Sequence, residues 1–168
     1  PVSAALARGR CLCDSPESTT PETPGPEMPD FQLDDFLPYL LTNAAEATGR
    51  AFSAHYRDAY GMSRAQWRIM AHLGRGTPLT ATDICTRAHL EKSKVSRAVS
   101  GLEEAGYLAR SPSSKDRRAE LLSLTEAGRR VHADLATHAR RFQAALTDRL
   151  GVEEVDGLAK LLRALGEG

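Results

Sequence analysis

From Asp34 onward, apolar residues recur with a helical period. Leu37, Leu40, Leu41, Ala44, Ala45, Thr48, Phe52 and Tyr56 fall three or four apart and predict one long helix ending before Gly61. Asp34 and Asp35 suit its N-terminal end, and Pro38 is tolerated only in or near a first turn. Ser63-Arg64-Ala65-Gln66 has the form of a capping box. It opens a second helix with Trp67, Met70, Ala71 and Leu73 facing inward, stopped by Gly74 and Gly76. Leu79-Thr80 and Asp83 repeat the box ahead of a short helix carrying Ile84, Cys85 and Ala88. After a break around residues 89–91, Val95, Val99 and Leu102 mark a further helix that Gly106 ends.

The pattern then changes. Residues 107–111 and 120–124 read as two short strands around a polar tip at 111–118. Thr125 caps a helix with Val131, Leu135, His138, Phe142 and Leu146 on one stripe. Beyond Gly151 the last helix carries Val155, Leu158, Leu161, Leu162 and Leu165. The expected fold is mainly α with one small β-hairpin.

Ahead of this, Pro16, Pro21, Pro24, Pro26 and Pro29 stand among Ser, Thr and Glu, so residues 1–30 read as a disordered tail. Met28 lies just before the globular pattern begins, so residues 1–27 are as readily an upstream reading of a start codon as native chain.

Charge changes the picture more than composition does. The formal net charge is zero, yet residues 1–36 hold two Arg against seven Asp or Glu, net −5. Residues 61–130 hold thirteen Lys or Arg against seven Asp or Glu, net +6. A basic middle inside a neutral total suits an electrostatic footprint for DNA, although most such runs are solvated surface. No apolar run approaches the roughly 18 residues that span a bilayer, and no signal-peptide pattern opens the chain. Cys11, Cys13 and Cys85 match neither a disulfide framework nor a zinc pattern, which fits a reducing cytoplasm. His55, His72, His89, His132 and His138 show no ligand spacing, so no metal is expected. There is no Gly-rich phosphate loop and no nucleophile motif, which argues against an enzyme and implies no cofactor.

Two short helices joined by a tight turn, the second with cations opposite its apolar face, make a helix-turn-helix. With Val95, Val99 and Leu102 inward, Ser93, Lys94, Ser96, Arg97 and Ser100 point out. Short serines admit the helix backbone to a major groove, where Lys94 and Arg97 can reach base edges or phosphates. Ordinary surface helices can look like this. The tip Ser113-Ser114-Lys115-Asp116-Arg117-Arg118 is harder to dismiss, because an arginine there can enter a narrow minor groove.

Residues 79–128 resemble the multiple-antibiotic-resistance regulator (MarR) family of bacterial winged-helix proteins. The likeness rests on Leu79-Thr80, on Ser93-Lys94-Val95-Ser96-Arg97 and on Leu102-Glu103-Glu104-Ala105-Gly106-Tyr107-Leu108. Asp116-Arg117-Arg118 followed by Leu124-Thr125-Glu126-Ala127-Gly128 is its most specific part. The resemblance implies a winged helix-turn-helix lobe at 61–124 and dimerisation helices at 31–60 and 125–166. It implies a homodimer on a palindromic operator in duplex DNA, with repression as the family's usual mode. It places Arg118 in the minor groove, Arg117 near phosphate, Lys115 on the wing, and Asp116 as a wing brace through Arg110 or Arg118.

Members of the family commonly bind small aromatic or anionic effectors between the dimer helices and the DNA-binding lobe. Phe52, His55, Tyr56, Trp67, Arg68 and Met70 are the residues here that would suit an aromatic acid or its thioester. Trp67 and Phe52 can equally be plain core. A redox trigger and a winged helix that docks proteins instead of DNA are the alternatives. Cys85 sits where the first motif helix wants a small buried residue, which weakens the redox reading.

Overall fold

The structure, a computed structural model, describes residues 30–113 and 119–166. A 3-10 turn at Leu33–Asp35 leads into helix α1, Leu37–Tyr60, then α2, Arg64–Leu73, and strand β1, Leu79–Thr80. Helices α3, Ala81–Ala88, and α4, Lys92–Glu104, precede the hairpin of β2, Leu108–Pro112, and β3, Glu120–Leu124. Helices α5, Glu126–Leu150, and α6, Val152–Gly166, close the chain.

Local chemistry sets most boundaries. At the start of α2 the Ser63 hydroxyl accepts from the Gln66 N–H at 3.3 Å, and the Ser63 N–H donates to Gln66 Oε1 at 2.8 Å. Thr80 and Asp83 form the same reciprocal pair at the start of α3, with N–H donations of 2.9 and 3.1 Å. The Thr80 hydroxyl, donating to Asp83 Oδ2 at 2.7 Å, and then the Thr80 N–H hold that carboxyl below its usual pKa. His89 ends α3 at φ 49°, the one non-glycine among the described residues in the left-handed region. There the chain turns sharply and lays α4 across α3.

The expected hairpin is part of a three-stranded antiparallel sheet of order β1-β3-β2. Leu79 pairs with Leu122 and Thr80 with Leu121, so the dipeptide read as a helix opening is also a strand. Leu108 faces Leu124 in the other ladder, which continues to Pro112 opposite Glu120. The Ser113 N–H donates to the Ala119 carbonyl at 3.0 Å just beyond it.

Beneath the sheet lies one core. Ile69, Met70, Ile84, Val95, Val99, Leu102, Leu122 and Leu135 are almost completely buried. The inward face of α2 is Ile69, Met70 and Leu73, with Trp67 only half-buried, because α2 is packed by α3, α4 and α5 and buries more than one stripe. Cys85 is half-buried against the core, less enclosed than its position in the motif suggests.

At the outer helices burial fails. Leu37 and Leu40 of α1 are 54% and 46% exposed, and Leu161 and Leu165 of α6 are 66% and 58% exposed. Phe31, Leu33 and Phe36 ahead of α1 are exposed as well. No helix of the described residues is long and apolar enough to cross a membrane.

Candidate nucleic-acid interface

Helix α4 is split cleanly by burial. Val95, Ala98, Val99 and Leu102 are buried, whereas Ser93, Lys94, Ser96, Arg97 and Ser100 are all exposed on the opposite face. Gly101 lets this helix pack closely on α2, since a Cβ there would sit 2.7 Å from the Gln66 amide nitrogen. Lys94 Nζ lies 3.7 Å from Glu91, and Arg97 Nε donates to its own helix at the Ser93 carbonyl, 3.4 Å away. Both are weak, solvent-exposed contacts that a phosphate oxygen can replace at little cost.

Arg110 joins this helix to the hairpin. Its Nε and Nη2 donate to the two carboxylate oxygens of Glu103 at 2.8 Å each, and Nη1 donates to Glu120 at 2.8 Å. Glu103 lies in the last turn of α4 and Glu120 starts β3, so one guanidinium fixes three elements. The bonds from Arg110 hold the Glu103 carboxyl below its usual pKa and push the guanidinium up. The partners given to Arg110 are therefore Glu103 and Glu120; the expected partner Asp116 lies outside the described residues, as do Lys115, Arg117 and Arg118. The hairpin register holds the missed signal. Pro112 faces Glu120, so Arg110 stands two residues away on the same face, within reach of a diagonal pair.

Arg110→Met should lower stability by about 1 kcal/mol, since the pair is bidentate but a third or more exposed. Glu103's carboxyl is depressed in the folded state, so the contribution is present above its unfolded pKa and is lost as pH falls through the depressed folded value. Thermal melts of both proteins should thus differ at pH 7 and converge in acid. Melts that differ equally at both would exclude the clamp.

The six residues expected to hold an effector do not surround one cavity. Phe52 packs against Tyr56, Trp67, His138 and Phe142, with ring centroids 5.4–5.7 Å apart. Met70 is completely enclosed and Tyr56 is 3% exposed, so Met70 is core and no pocket wall. Arg68 reaches the other way, and its Nη1 donates to the Ala88 carbonyl at 3.3 Å. His55 is taken by Asp134 at 3.1 Å. Open clefts flank α1 on both sides instead. One holds Arg50, Arg57 and Arg64 over Tyr56 and Met62, and the other holds Ala47, Ala51, Phe142 and Arg149. Among the described residues no group of three or more His, Cys, Asp or Glu could hold a metal ion.

Comparison with known proteins agrees with this architecture. Residues 60–119 match the MarR family model. The chain is 28% identical over 102 residues to the HTH-type transcriptional regulator FarR of Neisseria gonorrhoeae, covering 61% of this chain and 70% of that protein. A MarR-family transcriptional regulator from Silicibacter pomeroyi superposes with a TM-score of 0.67 at 26% identity, covering 83% of this chain and 93% of that one. NadR in complex with 4-hydroxyphenylacetate superposes with a TM-score of 0.69 at 26% identity, covering 82% and 97%. FarR and the Silicibacter pomeroyi protein are transcriptional regulators. With its exposed cationic α4 and clamped hairpin, the chain has the winged helix-turn-helix fold of these relatives, and its residues 60–119 match the MarR family of DNA-binding transcriptional regulators.

Proposed function

We propose that the protein is a homodimeric repressor that binds a palindromic operator and releases it when a small aromatic or anionic molecule binds. The observation that carries this reading is the division of the surface. One face of α4 offers Ser93, Lys94, Ser96, Arg97 and Ser100 to a groove, while α1 and α6 offer apolar faces that one chain leaves bare. Residues 61–124 would then form the reading lobe, and residues 31–60 with 125–166 the dimer. Two-fold symmetry places the recognition helices about 34–36 Å apart, one turn of duplex, which is why a palindrome is expected. The wing residues Lys115, Arg117 and Arg118 would add contacts at the minor groove and backbone.

The effector class is supported by two features. The clefts beside α1 carry arginines over apolar or aromatic floors, a combination suited to a carboxylate on a ring. NadR, of the same fold, is seen with 4-hydroxyphenylacetate. An effector of this kind acts as an inducer only by favouring the state whose recognition helices no longer match the operator.

Selection of bound duplexes from a random pool, at two salt concentrations, tests the reading. A palindrome should be enriched. Arg97→Ala should weaken binding by about 1–3 kcal/mol and relax sequence preference if it touches a base. Lys94→Ala, if it meets phosphate, should weaken all sequences evenly and flatten the salt dependence by about one counterion. Weak binding without any enriched sequence would reject the regulator reading in favour of a protein-docking winged helix.

A further inference from the structure

A cluster at the junction of α1 and α5 is not used by the reading above. The His55 and His138 rings stack with centroids 3.9 Å apart and planes within 9°. Asp134 Oδ2 accepts from Tyr60 at 2.8 Å and pairs with His55 Nε2 at 3.1 Å. His138 also stacks on Phe52, which packs against Trp67 of α2. Helix α1 packs along α5, so this cluster sits on the seam between those two long helices, and Phe52 links it to Trp67 of the lobe.

We propose that the stacked His55–His138 pair is a proton-operated latch. The neutral stack holds α1 against α5, and protonation of His138 drives the two helices apart and weakens operator binding. The inference rests on the dimeric-regulator reading, because α1 reaches DNA only through the position it gives the lobes.

The charge count at the seam is one-sided. The charged groups acting on His138 are Asp134 and Arg141 of α5, and Tyr60 of α1 is bonded to Asp134. Tyr107 lies near enough to act on Tyr60. When His138 is protonated, one carboxylate, already bonded to Tyr60 and His55, must offset both it and Arg141. Asp134 remains ionised there, since the bonds from Tyr60 and His55 hold its carboxyl below the usual pKa. Burial, His55 and Arg141 hold His138 below the ordinary imidazole value, and Asp134 only partly opposes them. A depressed histidine makes the unfolded or opened state bind more protons, so the contact is intact at neutral pH and is lost as pH falls through and below the ordinary imidazole range.

Operator affinity, measured by fluorescence anisotropy at fixed ionic strength, should fall about tenfold between pH 7.5 and 5.5. Histidine protonation makes any protein more cationic and ordinarily favours DNA, so the fall runs against the general trend. His138→Phe keeps a flat ring in the stack but cannot charge, and should stay within about threefold over the same range. An affinity that holds or rises in the wild type overturns the latch, and so does an equal fall in His138→Phe. If circular dichroism shows that His138→Phe does not fold, His138→Gln replaces it with the same expectation. Trp67, the chain's single tryptophan, gives an independent readout without DNA. Its emission should shift over this pH range in the wild type and stay constant in the variant. No operator binding even at pH 7.5 would sink the regulator reading instead, and a constant Trp67 emission would then sink the latch by itself.

Discussion

Gly128→Ala is expected to destabilise the protein by about 3 kcal/mol or more, an effect large enough to leave much of a marginally stable domain unfolded. Gly128 lies in the first turn of α5, where a Cβ would stand 2.0 Å from the Tyr107 carbonyl oxygen and 2.9 Å from its carbon. Those are backbone atoms of the residue just before β2 and cannot rotate away. The Tyr107 carbonyl also accepts from the Thr125 N–H at 3.1 Å, and the Thr125 hydroxyl donates to the Gly106 carbonyl at 2.7 Å. Thr125 in turn caps α5 by accepting from the Gly128 N–H at 3.0 Å. Pushing α5 outward therefore breaks the cap and the seam to the hairpin together. Chemical denaturation monitored by Trp67 fluorescence reads the loss. A variant within 1 kcal/mol of wild type would mean that α5 shifts freely over β2.

Leu161→Asp with Leu165→Asp should act on assembly instead of folding. Both leucines are more than half exposed in the single chain, so charging them costs the isolated lobe little. If α6 lies in a two-fold interface, the double variant buries unpaired carboxylates and should sediment as a monomer. Operator affinity should then drop by at least about a hundredfold, because each half-site is bound without the effective concentration the partner supplies. A variant that remains dimeric would place the interface on α1 alone.

What could be read from the residues was what local chemistry decides. The boxes at Ser63–Gln66 and Thr80–Asp83 are complete within four residues, and both helices begin where they predict. The split of α4 into Val95, Val99 and Leu102 against its serines and cations follows from periodicity alone. Strand β1 is different. It is two residues long, and its partner Leu122 lies more than forty residues away, so no local pattern announces it. Ile69 escaped the α2 stripe because several elements pack on that helix, and one-stripe reasoning assumes a single packed face. Arg110 bonds to Glu103 and Glu120, which only the turn of α4 and the hairpin register bring near, while Asp116, expected to brace the wing through Arg110 or Arg118, lies outside the described residues. Phe52, Trp67 and Tyr56 have aromatic partners on α1, α2 and α5 that no spacing reveals, so spacing alone does not separate a ligand wall from core there.

The three-stranded sheet carries a further consequence. Strand β1 ends in Thr80, the residue that caps α3, so β3 is tied at one edge to the helix-turn-helix and at the other to β2. The Arg110 clamp adds a second tie, from β2 and β3 to the last turn of α4. All of this anchoring lies on the near side of the hydrogen bond between Ser113 and Ala119. The sheet therefore cannot tilt on its own: a load placed on β2 or β3 is carried through Thr80 into α3 and through Arg110 into α4, so hairpin and helix-turn-helix move as one rigid body.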